Sequence, residues 1–123
     1  MIKFGLLTSI LDGWSLEETA DIAAKMGFSC LEVACWPQGK AERRYAGVSH
    51  IDCERVCVDD VYARSVTECL TKRGLVISAL AYYPNPMDAD PERRAAALSH
   101  LRAVICAAQK LKVSMVTTFV GRD

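Results

Sequence analysis

The sequence predicts an α/β fold of (β/α)-barrel type, with about four strands and three helices in the order βαβαβαβ. Three observations carry this. Apolar runs too continuous for a sheet with one wet face alternate with helical patterns, as in parallel strands joined by crossover helices. The helix-to-strand links are only a few residues each (Gly27 to Ser29, Gly74, Lys112-Val113). The strand-to-helix links are longer, and one exceeds about twenty residues, a length usually reserved for functional loops. All the long links therefore gather at the carboxyl ends of the strands, where such folds place ligands. Right-handed crossovers then give the strand order 1-2-3-4, with the helices on the outer face of a curved sheet.

Taken in order, Lys3 to Ser9 is mainly apolar and reads as the first strand, and Asp12-Gly13 marks a turn after it. Ser15 and Glu18 form a capping box for a helix with the face Leu16, Thr19, Ile22, Ala23 and Met26, and Gly27 is placed to end it. Cys30 to Cys35 is the second strand, and Trp36 to Asp59 reads as a long polar loop. A second helix runs from about Asp60 to Arg73 on the face Val61, Tyr62, Val66, Cys69 and Leu70, with Gly74 as its stop. Leu75 to Ala81 is apolar apart from Ser78 and reads as a strand buried on both faces. Asp90 and Pro91 suit the cap and first position of the third helix. Its expected stripe is Leu98, Leu101, Ile105, Ala108 and Leu111, and Lys110 and Lys112 complement its negative end. Ser114 to Val120 is the fourth strand.

The 123 residues fit one domain, 1–123, with no second domain expected. Half are hydrophobic, which suits a globule rather than a disordered chain. A formal net charge of zero argues against a nucleic-acid footprint, and no apolar run reaches the roughly 20 residues of a membrane span. Met1-Ile2-Lys3-Phe4 lacks the layout of a signal peptide, so a cytoplasmic setting is expected, with six free thiols. His50, Cys53 and Cys57 offer three possible metal ligands without a fourth, so ordinary thiols are expected there. The run Lys40 to Arg44 contains an acid and reads as a solvated loop in preference to a phosphate clamp. Glu32 interrupts an apolar strand, where an unpaired carboxylate is costly. It should meet a cation such as Lys3 or face a polar barrel interior; a paired buried acid and a role near substrate both remain open.

Several segments in this order resemble a known family. They are Ser15-Leu16-Glu17-Glu18, Gly27-Phe28, Leu31-Glu32-Val33, His50-Ile51-Asp52, Ile77-Ser78-Ala79-Leu80, Tyr83-Pro84-Asn85-Pro86 and Thr118-Phe119-Val120-Gly121-Arg122-Asp123. Together the chain resembles the sugar phosphate isomerase/epimerase family, the xylose isomerase-like TIM barrel group. A full barrel has eight βα units and roughly 250 residues, so the resemblance is to an amino-terminal half. It implies an isomerase or epimerase of carbohydrate metabolism that moves a proton next to a carbonyl of a sugar or sugar phosphate. It implies a divalent metal (Mn, Mg, Zn or Co) held by Glu, Asp, His and Glu on later strands. No metal ligand carries over to this chain, none is expected to bind the segment alone, and catalytic residues stay unassigned. The substrate-facing rim implied for this half is Trp14, Trp36, the segment Tyr82 to Asn85 with Tyr82 and Asn85 singled out, and Arg122, with Glu32 as a further candidate. Each has a plainer role open to it: the tryptophans as plugs of the barrel mouth, Asn85 as a turn residue between two prolines, Arg122 as a solvated cation rather than a phosphate or carboxylate contact. The alternative function is a non-catalytic half-barrel or binding scaffold that self-associates as a homodimer closing the barrel. A DNA-repair endonuclease relative shares the barrel, and the neutral charge ranks that reading third.

Overall fold

Helix ends explain much of how this chain folds. The structure is a computed structural model that describes residues 1–39 and 46–122; the run Lys40 to Arg44 lies outside them. The elements are β1 (Gly5–Leu7), a 3-10 turn (Thr8–Ile10), α1 (Leu16–Lys25), β2 (Cys30–Ala34), α2 (Cys53–Val58), α3 (Asp60–Thr71), β3 (Val76–Ala81), α4 (Pro91–Lys110) and β4 (Val116–Thr117). The four parallel strands lie in the order β1-β2-β3-β4, as expected of a partial barrel. Ser15 and Glu18 close the capping box on α1, and Asp90 accepts from the Glu92 and Arg93 amides with Pro91 opening α4.

The three long helices end alike. Phe28 N donates to Ala23 O, Leu75 N to Leu70 O and Val113 N to Ala108 O, at 2.8–3.0 Å. The residue before each donor, Gly27, Gly74 or Lys112, is left-handed. This is the Schellman arrangement, which satisfies orphan helix carbonyls and turns the chain sharply. It also explains the short helix-to-strand links, because each turn delivers a hydrophobic residue just ahead of the next strand.

Paired residues on parallel strands share a face. Leu31 pairs with Ile77, Val33 with Leu80, and Leu80 with Val116. These side chains, with Cys35 and Tyr82, form the sheet's part of the core, packed against Ala20 and Ala23 of α1, Val66 and Leu70 of α3, and Val104 and Ala107 of α4. The helices therefore cover one face. Arg73 ties α3 to α1 through Glu17 and Asp21, and its guanidinium holds both carboxyls below their usual range.

Four expectations need correction. The segment Trp36 to Asp59 is not simply a polar loop: it holds the additional helix α2, capped by Asp52, and buries Val48, Ile51, Cys53 and Val56. Val61 is 68% exposed and Met26 66% exposed, so neither belongs to a buried face. On α4 the buried stripe is Ala97, His100, Val104, Ala107 and Ala108, while Leu98 and Ile105 are exposed. The expected stripe was displaced because α4 packs through small residues, and its larger side chains sit beside the contact. β3 is covered on both faces only toward its carboxyl end, since Val76 and Ser78 face an uncovered concave side.

All six thiols are free. Burial, then the adjoining Cys106 thiol, pushes Cys57 up to about 12. His50 is buried, with Nε2 3.1 Å from Leu11 O. His100 Nε2 lies 2.8 Å from Cys35 O. Each ring is read as donating to its carbonyl, the only role an N–H can play there.

Leu70 and Val61 sit on the same helix, 1% and 68% exposed. Leu70→Ala should cost about 2–5 kcal/mol in urea unfolding. Val61→Ala should change stability by less than ~0.5 kcal/mol. A reversed ranking would place α3 the wrong way round.

Desolvation lowers the His50 pKa in the folded chain. Its neutral form is favoured by folding, so its contribution is full above the unfolded value of about 6.5 and is lost as pH falls through the lower folded value. Stability should fall on acidification below about pH 6.5, before most carboxylates titrate. His50→Gln should flatten that stretch of the profile, and an unchanged slope would assign it elsewhere.

Candidate functional site

The concave face of the sheet carries one polar centre. Glu32 of β2 pairs in register with Ala79 of β3, and Thr117 of β4 pairs with Ala81, so both side chains lie opposite the helix-covered face. Tyr83, two residues beyond Ala81, returns to the same side. Its Oη donates to Glu32 Oε1, Thr117 Oγ1 lies 2.6 Å from that same oxygen, and the two hydroxyls are 3.0 Å apart. Both donors converge on Oε1, while Oε2 accepts from no described residue. The three residues are half-buried, and Tyr83 is braced by Phe119 with ring centroids 4.9 Å apart. Burial, then the hydrogen bond to Glu32, raises the Tyr83 phenol above its usual range, so it stays a donor at neutral pH. Glu32 thus meets the polar-interior expectation; its partners are hydroxyls, and Lys3 is not among them.

A bulge sets this geometry. The β2–β3 register runs Leu31 with Ile77 and then Glu32 with Ala79, leaving Ser78 as the extra residue. Beyond it Ala79, Ala81 and Tyr83 point inward, and Leu80 and Tyr82 point toward the helices. Tyr82, a predicted rim residue, is accordingly buried against His100, with centroids 4.7 Å apart. Trp36 packs edge-on against Tyr82 at 5.0 Å. These two form an aromatic stack on the core side, away from the polar centre.

Asn85 and Arg122 do meet. Asn85 Oδ1 accepts from the Arg122 amide at 2.8 Å and from the Met87 amide at 3.3 Å, and Nδ2 donates to Arg122 O at 3.0 Å. Asn85 serves as a turn residue and also as a latch between the loops after β3 and β4. Gly121 permits this: at φ +104°, a Cβ there would lie 2.9 Å from Asn85 Oδ1 and 3.0 Å from the Met87 amide. The latch holds Arg122 at the carboxyl end of the sheet, with the residue exposed.

Trp14 stands apart. It is 44% exposed and lines a groove of about 380 Å³ with Ser49, His50, Tyr62 and Cys69, on the helix side of the sheet. Of the six predicted residues, Glu32 alone enters the polar centre, Asn85 and Arg122 share its end of the sheet, and the other three lie elsewhere. Thr117 was not predicted, and Tyr83 fell within the expected rim segment Tyr82 to Asn85 without being singled out. Ser78, the polar residue in an otherwise apolar run, sits at the bulge that decides which tyrosine points inward, but its polarity alone does not mark a bulge.

Comparison with known proteins follows the same lines. Over 99% of this chain, the fold matches 39% of the crystal structure of the probable 3-DHS dehydratase AsbF from Bacillus anthracis, with TM-score 0.64 and 16% identity. Over 95% of the chain, it matches 37% of D-psicose 3-epimerase with D-tagatose from Clostridium cellulolyticum H10, with TM-score 0.59 and 17% identity. The chain therefore spans well under half the length of either protein, and at these identities the likeness is one of fold. No curated protein matches the sequence. Residues 20–123 match the family described as the xylose isomerase-like TIM barrel, and with four parallel strands in barrel order the chain belongs to that family.

Proposed function

We propose that this chain is the amino-terminal half of a catalytic barrel that binds a small polyhydroxylated carbonyl compound, a sugar or sugar phosphate, and moves a proton next to its carbonyl. The observation that carries this reading is the Glu32–Tyr83–Thr117 centre on the concave face of a family barrel. A phenol oxygen beside a carboxylate with one open oxygen presents acceptors to the hydroxyls of a polyol. Tyr83 fixes Glu32 through its one proton, and its oxygen and Glu32 Oε2 accept from neighbouring substrate hydroxyls. Arg122 suits an anionic group such as a phosphate at the barrel mouth. Both neighbours named above, an epimerase and a probable dehydratase, are compatible with this substrate class.

A divalent metal, as the family resemblance implies, would polarise the carbonyl. Among the described residues no three His, Cys, Asp or Glu side chains converge to hold one. The described part of this chain does not fit that group, and its own contribution is binding and orientation. A cytoplasmic setting suits six free thiols.

The reading is tested by exchange of solvent deuterium next to the carbonyl of ketoses and their phosphates. The chain alone, with or without Mn²⁺ or Mg²⁺, should give no exchange. A longer polypeptide containing it should turn over. In that polypeptide Tyr83→Phe should lower kcat/KM by roughly 10-fold and Glu32→Gln by roughly 100-fold. Metal-dependent exchange by the chain alone would overturn the division of labour. A longer protein inert on every sugar tried would favour the non-catalytic scaffold.

A further inference from the structure

We propose that Cys57 and Cys106 form a peroxide-sensitive thiol pair, whose oxidation to a disulfide fastens α2 to α4. Helix α2 lies in the connection between β2 and α3 and packs mainly against α4. The Cys57 thiol donates to the Ala103 carbonyl of α4 at 3.5 Å. Cys106 follows about one turn later on the same side of α4. Its thiol lies within hydrogen-bond reach of Cys57. Lys110, a further turn on, brings its ammonium near both sulfurs and sits 2.7 Å from Asp60 Oδ1 of α3. Two thiols and a cation therefore meet where α2, α3 and α4 come together.

The other four thiols are placed differently. Cys35 and Cys53 also adjoin, but they are only 0% and 2% exposed, and the Cys35 thiol donates to Val33 O. Cys69 lies against Arg73 and Cys30 against Gly5. Cys57 and Cys106 are each partly exposed, so a small oxidant can reach a pair that is already side by side. Burial holds Cys57 in its thiol form at neutral pH, so the first attack falls to Cys106. The Cys106 thiolate attacks one oxygen of hydrogen peroxide. An S–O bond forms, the O–O bond breaks, and the departing hydroxide takes up the proton that Cys106 released. The Cys57 sulfur then attacks the sulfenic sulfur. The S–S bond forms, the S–O bond breaks, and the sulfenic oxygen leaves as water with the Cys57 proton. Two thiols are oxidised and one peroxide is reduced, giving one disulfide and two waters.

The test is treatment of the folded chain with a few equivalents of hydrogen peroxide. Thiol titration in denaturant should then show a loss of two of the six thiols, restored by dithiothreitol. Peptide mapping without reductant should find one cross-link, Cys57 to Cys106, within a single chain. The bridge closes a loop of about fifty residues and should raise the melting temperature by roughly 10 °C. Cys57→Ser should give neither the cross-link nor the rise. If that variant fails to fold, the peptide map of the wild type decides alone. Six thiols surviving a tenfold excess of peroxide would overturn the proposal. So would a Cys35–Cys53 bridge, cross-links between chains, or Cys106 oxidised to the sulfinic acid while Cys57 stays a thiol.

Discussion

The register of β2 against β3 governs the rest of the structure. Side chains alternate between the faces of a sheet, so a shift of one residue exchanges everything beyond it. The single extra residue at Ser78 is such a shift. It keeps Leu80 and Tyr82 on the helix-covered face, where they join the core, and turns Ala79, Ala81 and Tyr83 inward. Without it, Tyr82 would face the concave side and the phenol now bound to Glu32 would face the helices. Core and polar centre are therefore decided by the same local irregularity.

That irregularity also marks where sequence reasoning stops. Strand order and parallel pairing were legible from the handedness of the crossovers, and the starts of α1 and α4 from local chemistry: Ser15 with Glu18, Asp90 before Pro91. The start of α3 followed from its apolar spacing, and its cap, Asp59, was seen only in the structure. Helix α2 was not, because six residues span fewer than two turns and show no period, although Asp52 accepts from the Arg55 amide at 3.0 Å like any other cap. The face of α4 was misjudged because hydrophobicity ranks Leu and Ile above Ala, whereas the buried side of α4, which packs mainly against α2, holds Ala97, Ala107 and Ala108. In the site, Glu32 was legible as a charge out of place. Its partners were not, since no propensity reports that Ser78 bulges.

The polar centre and the surface ion pairs of this chain differ in physical character. Arg73 engages Glu17 and Asp21 near water, where charge pairs contribute little beyond fixing geometry. Glu32 is met by neutral hydroxyls on a half-buried face, with no cation paired to it among the described residues. A carboxylate of this kind keeps its capacity to accept further hydrogen bonds, whereas a salt-bridged one has largely spent it. The concave face is thus organised to interact with something, while the outer face is organised to hold itself together.

The end of α4 has a consequence of a different kind. Lys112 occupies the left-handed position that Gly27 and Gly74 fill at the ends of α1 and α3, with φ +57°. An L-residue there carries a steric cost of roughly 1–2 kcal/mol that glycine avoids. Among related chains, this position should drift readily to glycine or asparagine and exclude valine, isoleucine and threonine, whose branched Cβ tolerates that backbone least. A β-branched residue there would favour another turn of α4 and draw Val113 away from the Ala108 carbonyl it now binds. The point at which the chain enters β4 would move with it.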